Sequence, residues 1–145
     1  MAEKTTVSTE INAPIQKCWN IVVDIERYPE WIEDIKEVRI ISKDDQGRPS
    51  EVSFRAAAFG RSTNYTLKYD YSDEPHSLKW VQTKGDITNK LDGSYTFEDN
   101  KNSTKIYYEL EAELKIPIPG FIKRRAETLV NNRALRELKV RAEAD

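Results

Sequence analysis

Hydrophobic and polar positions change period twice along the chain. The opening stretch KTTVSTEI alternates, with Val7, Thr9 and Ile11 on one face, which predicts a strand. In NAPIQKCWNIVVDI the period lengthens: Ile15, Cys18, Trp19, Val22 and Val23 recur at i, i+3, i+4, i+7 and i+8, one face of an amphipathic helix. Asn12 or Ala13 should cap it, with Pro14 in the first turn, where a missing N–H costs nothing. ERYPEWIED leaves room only for a short second helix around Pro29. From Ile35 to Ile116 the period is two. IKEVRIIS, SEVSFRAAAF, TNYTLKYDYS, HSLKWVQT, ITNKLDGSYTFED and TKIYYELEAELKI read as six strands separated by turn residues. Tyr65, Leu67, Tyr69 and Tyr71 share one face of the third. Gly93 marks a bulge or a close backbone approach in the fifth. In the sixth, Ile106, Tyr108, Leu110, Ala112, Leu114 and Ile116 alternate with a solvent face of Tyr107, Glu109, Glu111, Glu113 and Lys115. Pro117 and Pro119 stop that strand. Helical period then returns, with an apolar stripe through Ile122, Ala126, Leu129, Val130, Ala134, Leu135, Leu138 and Ala142.

The predicted order is strand, two short helices, six antiparallel strands and one long helix, an α+β class within a single domain spanning residues 1–145. A sheet of that size presents more apolar area than one helix covers. Either the sheet curls around the helix or a space remains between them. Inner faces rich in Tyr and Trp suit a lined cavity, expected to hold a ligand of about 300 Å³ or more. Tyr65, Tyr69, Trp80, Tyr95 and Tyr108 are its expected aromatic wall, with Phe54, Leu110, Ile122, Ala126 and Leu129 as apolar candidates. Core packing alone would account for the same pattern. Tyr28 and Trp31 flank Pro29 in DIERYPEWI. They either plug one end of the core or, in the case of Trp31, border the ligand entrance.

Polar residues on apolar faces carry more information, because burying them demands a partner. Gln82 shares parity with Leu78 and Trp80, and Asn89 with Ile87 and Leu91. Arg133 follows Leu129 by four residues on the helical stripe and could hold an anionic or carbonyl ligand end in a bidentate fork. Arg55 has the opposite parity to Phe54 and is a weaker candidate.

Charge alters the picture only locally. The chain carries 23 basic and 25 acidic residues in 145, a net of −2. From Gly120 onward, seven Lys or Arg face four acids. Lys123, Arg124 and Arg125 oppose the dipole at the start of the last helix, which suggests a solvated face or a transient contact with a membrane surface or anionic partner. Acids interrupt that helix and the isoelectric point is about 5.6, so no nucleic-acid partner is expected. One cysteine, Cys18, permits no intrachain disulfide, and no apolar run reaches membrane-spanning length, so a cytoplasmic chain is expected. One His and one Cys cannot assemble a His/Cys metal site, and no phosphate-binding glycine loop occurs, so neither metal nor cofactor is expected.

APIQKCW, DIERYPEWIEDIKEVRI, LDGSYTFE, KIPIPGFIKRRAE and ALRELKVRAE, in this order, resemble the START-like superfamily. Within it they resemble the bacterial polyketide cyclase/dehydrase group, which is similar to coenzyme Q-binding START proteins. The resemblance implies a helix-grip (START/Bet v 1-like) fold, a curved antiparallel sheet wrapped around the C-terminal helix over a deep apolar pocket. It implies either a carrier of a polyketide, lipid or quinone-like molecule, or an aromatase/cyclase or dehydrase. Ring closure requires a base and a donor for the enolate oxygen. The bases available to this reading are Glu26, Asp92 and His76, none well placed.

Overall fold

The computed structural model describes residues 3–58, 61–115 and 117–144, apart from the side chains of Glu3, Ala58, Ala126, Glu127 and Val130. The elements run β1 (Glu3–Ile11), α1 (Ile15–Val23), a 3-10 turn (Ile25–Arg27), α2 (Tyr28–Trp31), β2 (Ile35–Lys43), β3 (Pro49–Ala58), β4 (Arg61–Asp70), β5 (Ser77–Gly85), β6 (Thr88–Asn100), β7 (Ser103–Leu114) and α3 (Gly120–Glu143). Pro14 is itself the N-cap of α1, with extended backbone, rather than Asn12 or Ala13.

The seven strands form one antiparallel sheet in the order β1-β7-β6-β5-β4-β3-β2. Consecutive strands from β2 to β7 are hairpin neighbours, and β1 closes on β7. The segment holding α1 and α2 therefore carries the chain from one edge of the sheet to the other. Register shifts interrupt the β2/β3, β4/β5 and β6/β7 ladders. Such bulges bend strands and increase their twist, which lets the sheet curve around α3 in a helix grip.

Alternation decides what lies inside. Along β7, Thr104, Ile106, Tyr108, Leu110 and Ala112 are buried while the residues between them are only partly covered. Gly93 permits a close approach: a Cβ there would stand 2.5 Å from the Glu109 carbonyl oxygen and 2.6 Å from Trp80 Cζ2. The Trp80 ring thus lies across β6 at its paired residue. The core is most deeply buried around α1 and the end of α3. Ile11, Cys18, Val22, Ile25, Ile106, Leu138 and Ala142 are each fully buried, and Trp19 meets Phe97 edge-to-face at 5.8 Å.

The apolar stripe of α3 divides. Ala134, Leu135, Leu138 and Ala142 are buried, but Ile122 and Leu129 are 45% and 55% exposed, contrary to the inward face expected of them. The sheet does not cover the helix's first three turns on that side. The Ala126 and Val130 side chains, and Ile116, lie outside the described residues.

Candidate functional site

Where α3 passes Ala134 and Glu137, the helix–sheet space is hollow. The cavity has a volume of about 140 Å³. Its sheet wall is made by Phe54, Ala56 and Ala57 of β3, Thr63, Tyr65, Leu67 and Tyr69 of β4, Trp80 of β5, Tyr95 of β6 and Tyr108 of β7. Tyr28, Ile32, Asp34 and Ile35 line it from α2 and the start of β2, and Ala134 and Glu137 from α3. The alternation that puts Thr63, Tyr65, Leu67 and Tyr69 on one face of β4 is the reason that strand contributes four wall residues.

The rings form two continuous chains. One runs from Trp31 through Tyr28 and Phe54 to Tyr65, with centroid separations of 5.4, 6.2 and 5.3 Å. The other joins Tyr69 to Trp80 at 6.1 Å, and Trp80 to Tyr95 and Tyr108 at 5.6 and 5.8 Å. These separations lie within the range of about 4.5–7 Å at which aromatic pairs attract one another.

The hydroxyls on that wall are of two kinds. Tyr28 donates to the Val22 carbonyl, which anchors α2 to the end of α1. Tyr71, outside the cavity, donates to the Pro49 carbonyl at 2.6 Å. Those of Tyr65, Tyr69, Tyr95 and Tyr108 have no hydrogen-bond partner among the described residues. Burial pushes all four phenols well above the ordinary tyrosine range, and their neighbouring phenols add to the effect at Tyr65, Tyr69 and Tyr95. They remain neutral and able to donate.

Two carboxylates sit at the helix side. Asp34 accepts from one guanidinium nitrogen of Arg133, Nη1, at 3.1 and 3.2 Å to its two oxygens. Glu137 accepts the Glu33 N–H at 2.8 Å through Oε2, while its Oε1 is buried without a partner among the described residues.

Of the residues singled out in the sequence, Phe54, Tyr65, Tyr69, Trp80, Tyr95 and Tyr108 stand together in this wall. Others do not. Trp31 is buried but faces the outer grooves beside Arg141, and Tyr28 takes the place beside the cavity. Leu110 is buried in the core, away from the cavity lining. Gln82 is spent on its own hairpin: Nε2 donates to the Thr88 carbonyl at 2.9 Å, and Oε1 accepts from the Thr88 hydroxyl. Asn89 is exposed, because the register shift between Thr88 and Lys90 breaks the alternation its parity relied on. Ile122 and Leu129 are surface residues, and the Ala126 side chain lies outside the described residues. Arg133 is at the cavity's edge, but its guanidinium is held by Asp34 rather than open to a ligand. Arg55 is exposed and pairs with Glu37 at 3.3 Å. Glu26 and His76 are exposed and outside the lining, and Asp92 accepts the Gln82 N–H at 2.9 Å, so none of the three supplies an inward base.

Sequence reasoning missed Asp34 and Glu137. A signal for Glu137 existed: it lies four residues after Arg133 and three after Ala134, on the continuation of the same stripe. Nothing local marks Asp34, which depends on the connection before β2 folding back so that its carbonyl accepts the Ala57 N–H at 2.8 Å.

The comparisons agree with this architecture. No curated protein sequence matches the chain. Among solved structures, a START superfamily protein from Mycobacterium smegmatis superposes with a TM-score of 0.91 at 24% identity, over 97% of both chains. The Zhui aromatase/cyclase from Streptomyces sp. R1128 superposes at 0.86 with 11% identity, over 99% of this chain and 94% of its own. The protein TTHA0849 from Thermus thermophilus gives 0.80 at 18% identity, over 97% of both. At these identities the likeness is one of fold. Residues 11–139 match the family described as polyketide cyclase/dehydrase and lipid transport. With a helix-grip fold around an aromatic cavity and a match over most of its length, this chain belongs to the polyketide cyclase/dehydrase and lipid transport family.

Proposed function

We propose that the protein binds a small hydrophobic molecule in the cavity between its sheet and α3. The observation that carries this reading is the wall itself: apolar rings enclosing a void, with four neutral phenol hydroxyls that have no partner among the described residues. A cavity with a few convergent polar groups is the ordinary form of a small-molecule site. Its size narrows the ligand. At about 140 Å³ it falls short of the volume expected from the sequence. An apolar cavity of about 150 Å³ accommodates benzene. The ligand, or the part of it held here, is therefore about one ring in size, and a polyketide of several rings would require the wall to move apart. Native mass spectrometry of the protein purified from its own host tests this. A co-purifying apolar molecule is expected, and a ligand-free chain that also takes up no single-ring compound in solution would end the reading.

A second reading, aromatase/cyclase or dehydrase chemistry, is favoured by one observation: a carboxylate, Glu137, shares the cavity with phenol donors. A base and donors for an enolate oxygen are what ring closure needs. Turnover of a poly-β-ketone analogue by the wild-type protein, lost in Glu137→Gln, would support it. Absence of turnover would leave binding alone.

The start of α3 belongs to the same proposal. Phe121, Ile122 and Leu129 are 69%, 45% and 55% exposed beside Lys123, Arg124 and Arg125. Apolar residues flanked by basic ones suit transient contact with an anionic membrane surface during ligand delivery. Cosedimentation with vesicles containing phosphatidylglycerol, but not with phosphatidylcholine alone, is the expected result.

A further inference from the structure

The cavity's electrostatics select among one-ring ligands. Glu137 Oε1 is buried with no hydrogen-bond donor among the described residues. A carboxylate oxygen withdrawn from water and left unpaired is costly, and only a donor or a positive charge offsets that cost. Of the cations near Glu137 along α3, Arg136 is exposed and makes no bond to the buried Oε1, and the other three are committed elsewhere. Arg133, one turn before Glu137, gives its Nη1 to both oxygens of Asp34. Arg141, one turn after, gives its Nη2 to Glu30 at 3.1 Å. Lys139 donates to the Glu10 carbonyl and to Glu143, at 2.7 and 2.8 Å. With Arg133 balanced by Asp34, the described cavity lining keeps one uncompensated carboxylate.

The rest of the wall is aromatic. Rings stabilise a cation through their quadrupoles, and more strongly where water is excluded. Tyr95 lies close enough to Glu137 for that carboxylate to contribute to the upward push on its phenol. The negative group and the ring cluster therefore act on the same volume.

We propose that the cavity's preferred ligand is an organic cation, a protonated amine carried on a compact aromatic or apolar body, with Glu137 as its counter-ion and the tyrosine wall as its cage. This rests on the small-molecule binding reading and deepens it. An anionic ligand end, which the sequence assigned to Arg133, is disfavoured, because Arg133 is neutralised and the remaining charge repels it.

Four probes of nearly one size test the proposal: benzylamine, benzyl alcohol, toluene and benzoate, titrated at neutral pH into the full-length protein and followed by NMR shifts or calorimetry. Benzylamine should bind at least about 10-fold tighter than benzyl alcohol or toluene, and benzoate weakest. Glu137→Gln should remove the amine's advantage over benzyl alcohol and toluene, and the exposed control Glu26→Gln should keep that advantage. Equal affinity of the wild type for benzylamine, benzyl alcohol and toluene would overturn the cation assignment and leave the hydrophobic site standing. Binding of none of the four would overturn both. An amine preference that survives Glu137→Gln would overturn the role given to Glu137. The wild-type series needs no variant, so a Glu137 variant that fails to fold does not rescue the proposal from an unfavourable ranking.

Discussion

The two ends of the space between sheet and helix are built by the same alternating strands and yet differ in kind. Near α1 and the end of α3, Ile11, Cys18, Val22, Ile106, Leu138 and Ala142 are fully buried aliphatic or small residues. Toward Ala134 the wall changes to Tyr65, Tyr69, Trp80, Tyr95 and Tyr108, and a void opens. Branched aliphatic chains interdigitate to crystal-like density. Rings held edge-to-face against one another, as Tyr95 and Tyr108 are at 5.0 Å and 68°, brace across the space instead of collapsing into it. The difference teaches that one sheet can be backed by fully buried aliphatic contacts at one end and by an aromatic-walled void at the other. Beyond the cavity α3 runs on with Ile122 and Leu129 uncovered, so a third stretch contributes to neither.

Truncation at the aliphatic end should have the largest effect. Leu138→Ala removes a fully buried side chain from the core cluster, and should cost about 2–5 kcal/mol in urea unfolding. Leu129→Ala, on the same helix but 55% exposed, should stay within about 0.5 kcal/mol. Similar losses would mean that the start of α3 is covered in solution and that the contrast along the helix is not real.

Alkali should attack the hollow end. The phenols of Tyr65, Tyr69, Tyr95 and Tyr108 are raised by burial, so the folded chain holds these protons to a higher pH than the unfolded one. Their neutral form gives full stability below the unfolded-state value, about 10. Above that, the unfolded chain ionises first, and stability falls as pH rises. Tyrosinate absorbance should therefore show these rings titrating together with loss of far-UV structure. Smooth ionisation of all seven tyrosines near their ordinary value in a folded chain would show a water-filled, open cavity.

Single hydroxyl deletions should separate structural phenols from binding phenols. Tyr28→Phe and Tyr71→Phe each remove a bond to a backbone carbonyl and should cost about 0.5–1.5 kcal/mol. Tyr95→Phe and Tyr108→Phe remove groups with no partner among the described residues, so they should be neutral or slightly stabilising while weakening a ligand that accepts from them. A clear stability loss at Tyr108 would assign its hydroxyl to the fold.

Where the sequence could be read, a local rule and the tertiary environment agreed. Period two gave all six strands after α2, and the parity of Tyr65 and Tyr69, or of Ile106 and Tyr108, followed the pleat directly. Asn89 shows how parity fails: one register shift reverses the face, and no residue type announced it. Ile122 and Leu129 show a different limit, since helical spacing defines a stripe but not how far the sheet extends to cover it. Glu137 entered the sequence reading only as one of the four acids after Gly120, although its spacing from Arg133 places it on the cavity side. Asp34 was illegible, as only the folded course of the connection before β2 brings it to Arg133, ninety-nine residues later.

Arg133 gives the smallest effect and the sharpest correction. The expectation of a fork, two nitrogens clasping one anion, made Lys an impossible substitute. In the structure a single nitrogen, Nη1, serves both Asp34 oxygens, and the two side chains are 30% and 27% exposed. A single ammonium can imitate such a contact where its stem reaches, and partial exposure limits the pair to about 1 kcal/mol. Arg133→Lys should therefore stay within about 0.5 kcal/mol of the wild type, close to the exposed control Arg136→Lys. Arg133→Met should lose about 1 kcal/mol, because it leaves Asp34 unpaired at the cavity's edge. It should also raise benzylamine affinity, since a second carboxylate becomes available to the cation. If Arg133→Lys instead abolished ligand binding, the guanidinium plane itself would be in contact with the ligand, and the division between a neutralised edge and a charged interior would have to be redrawn.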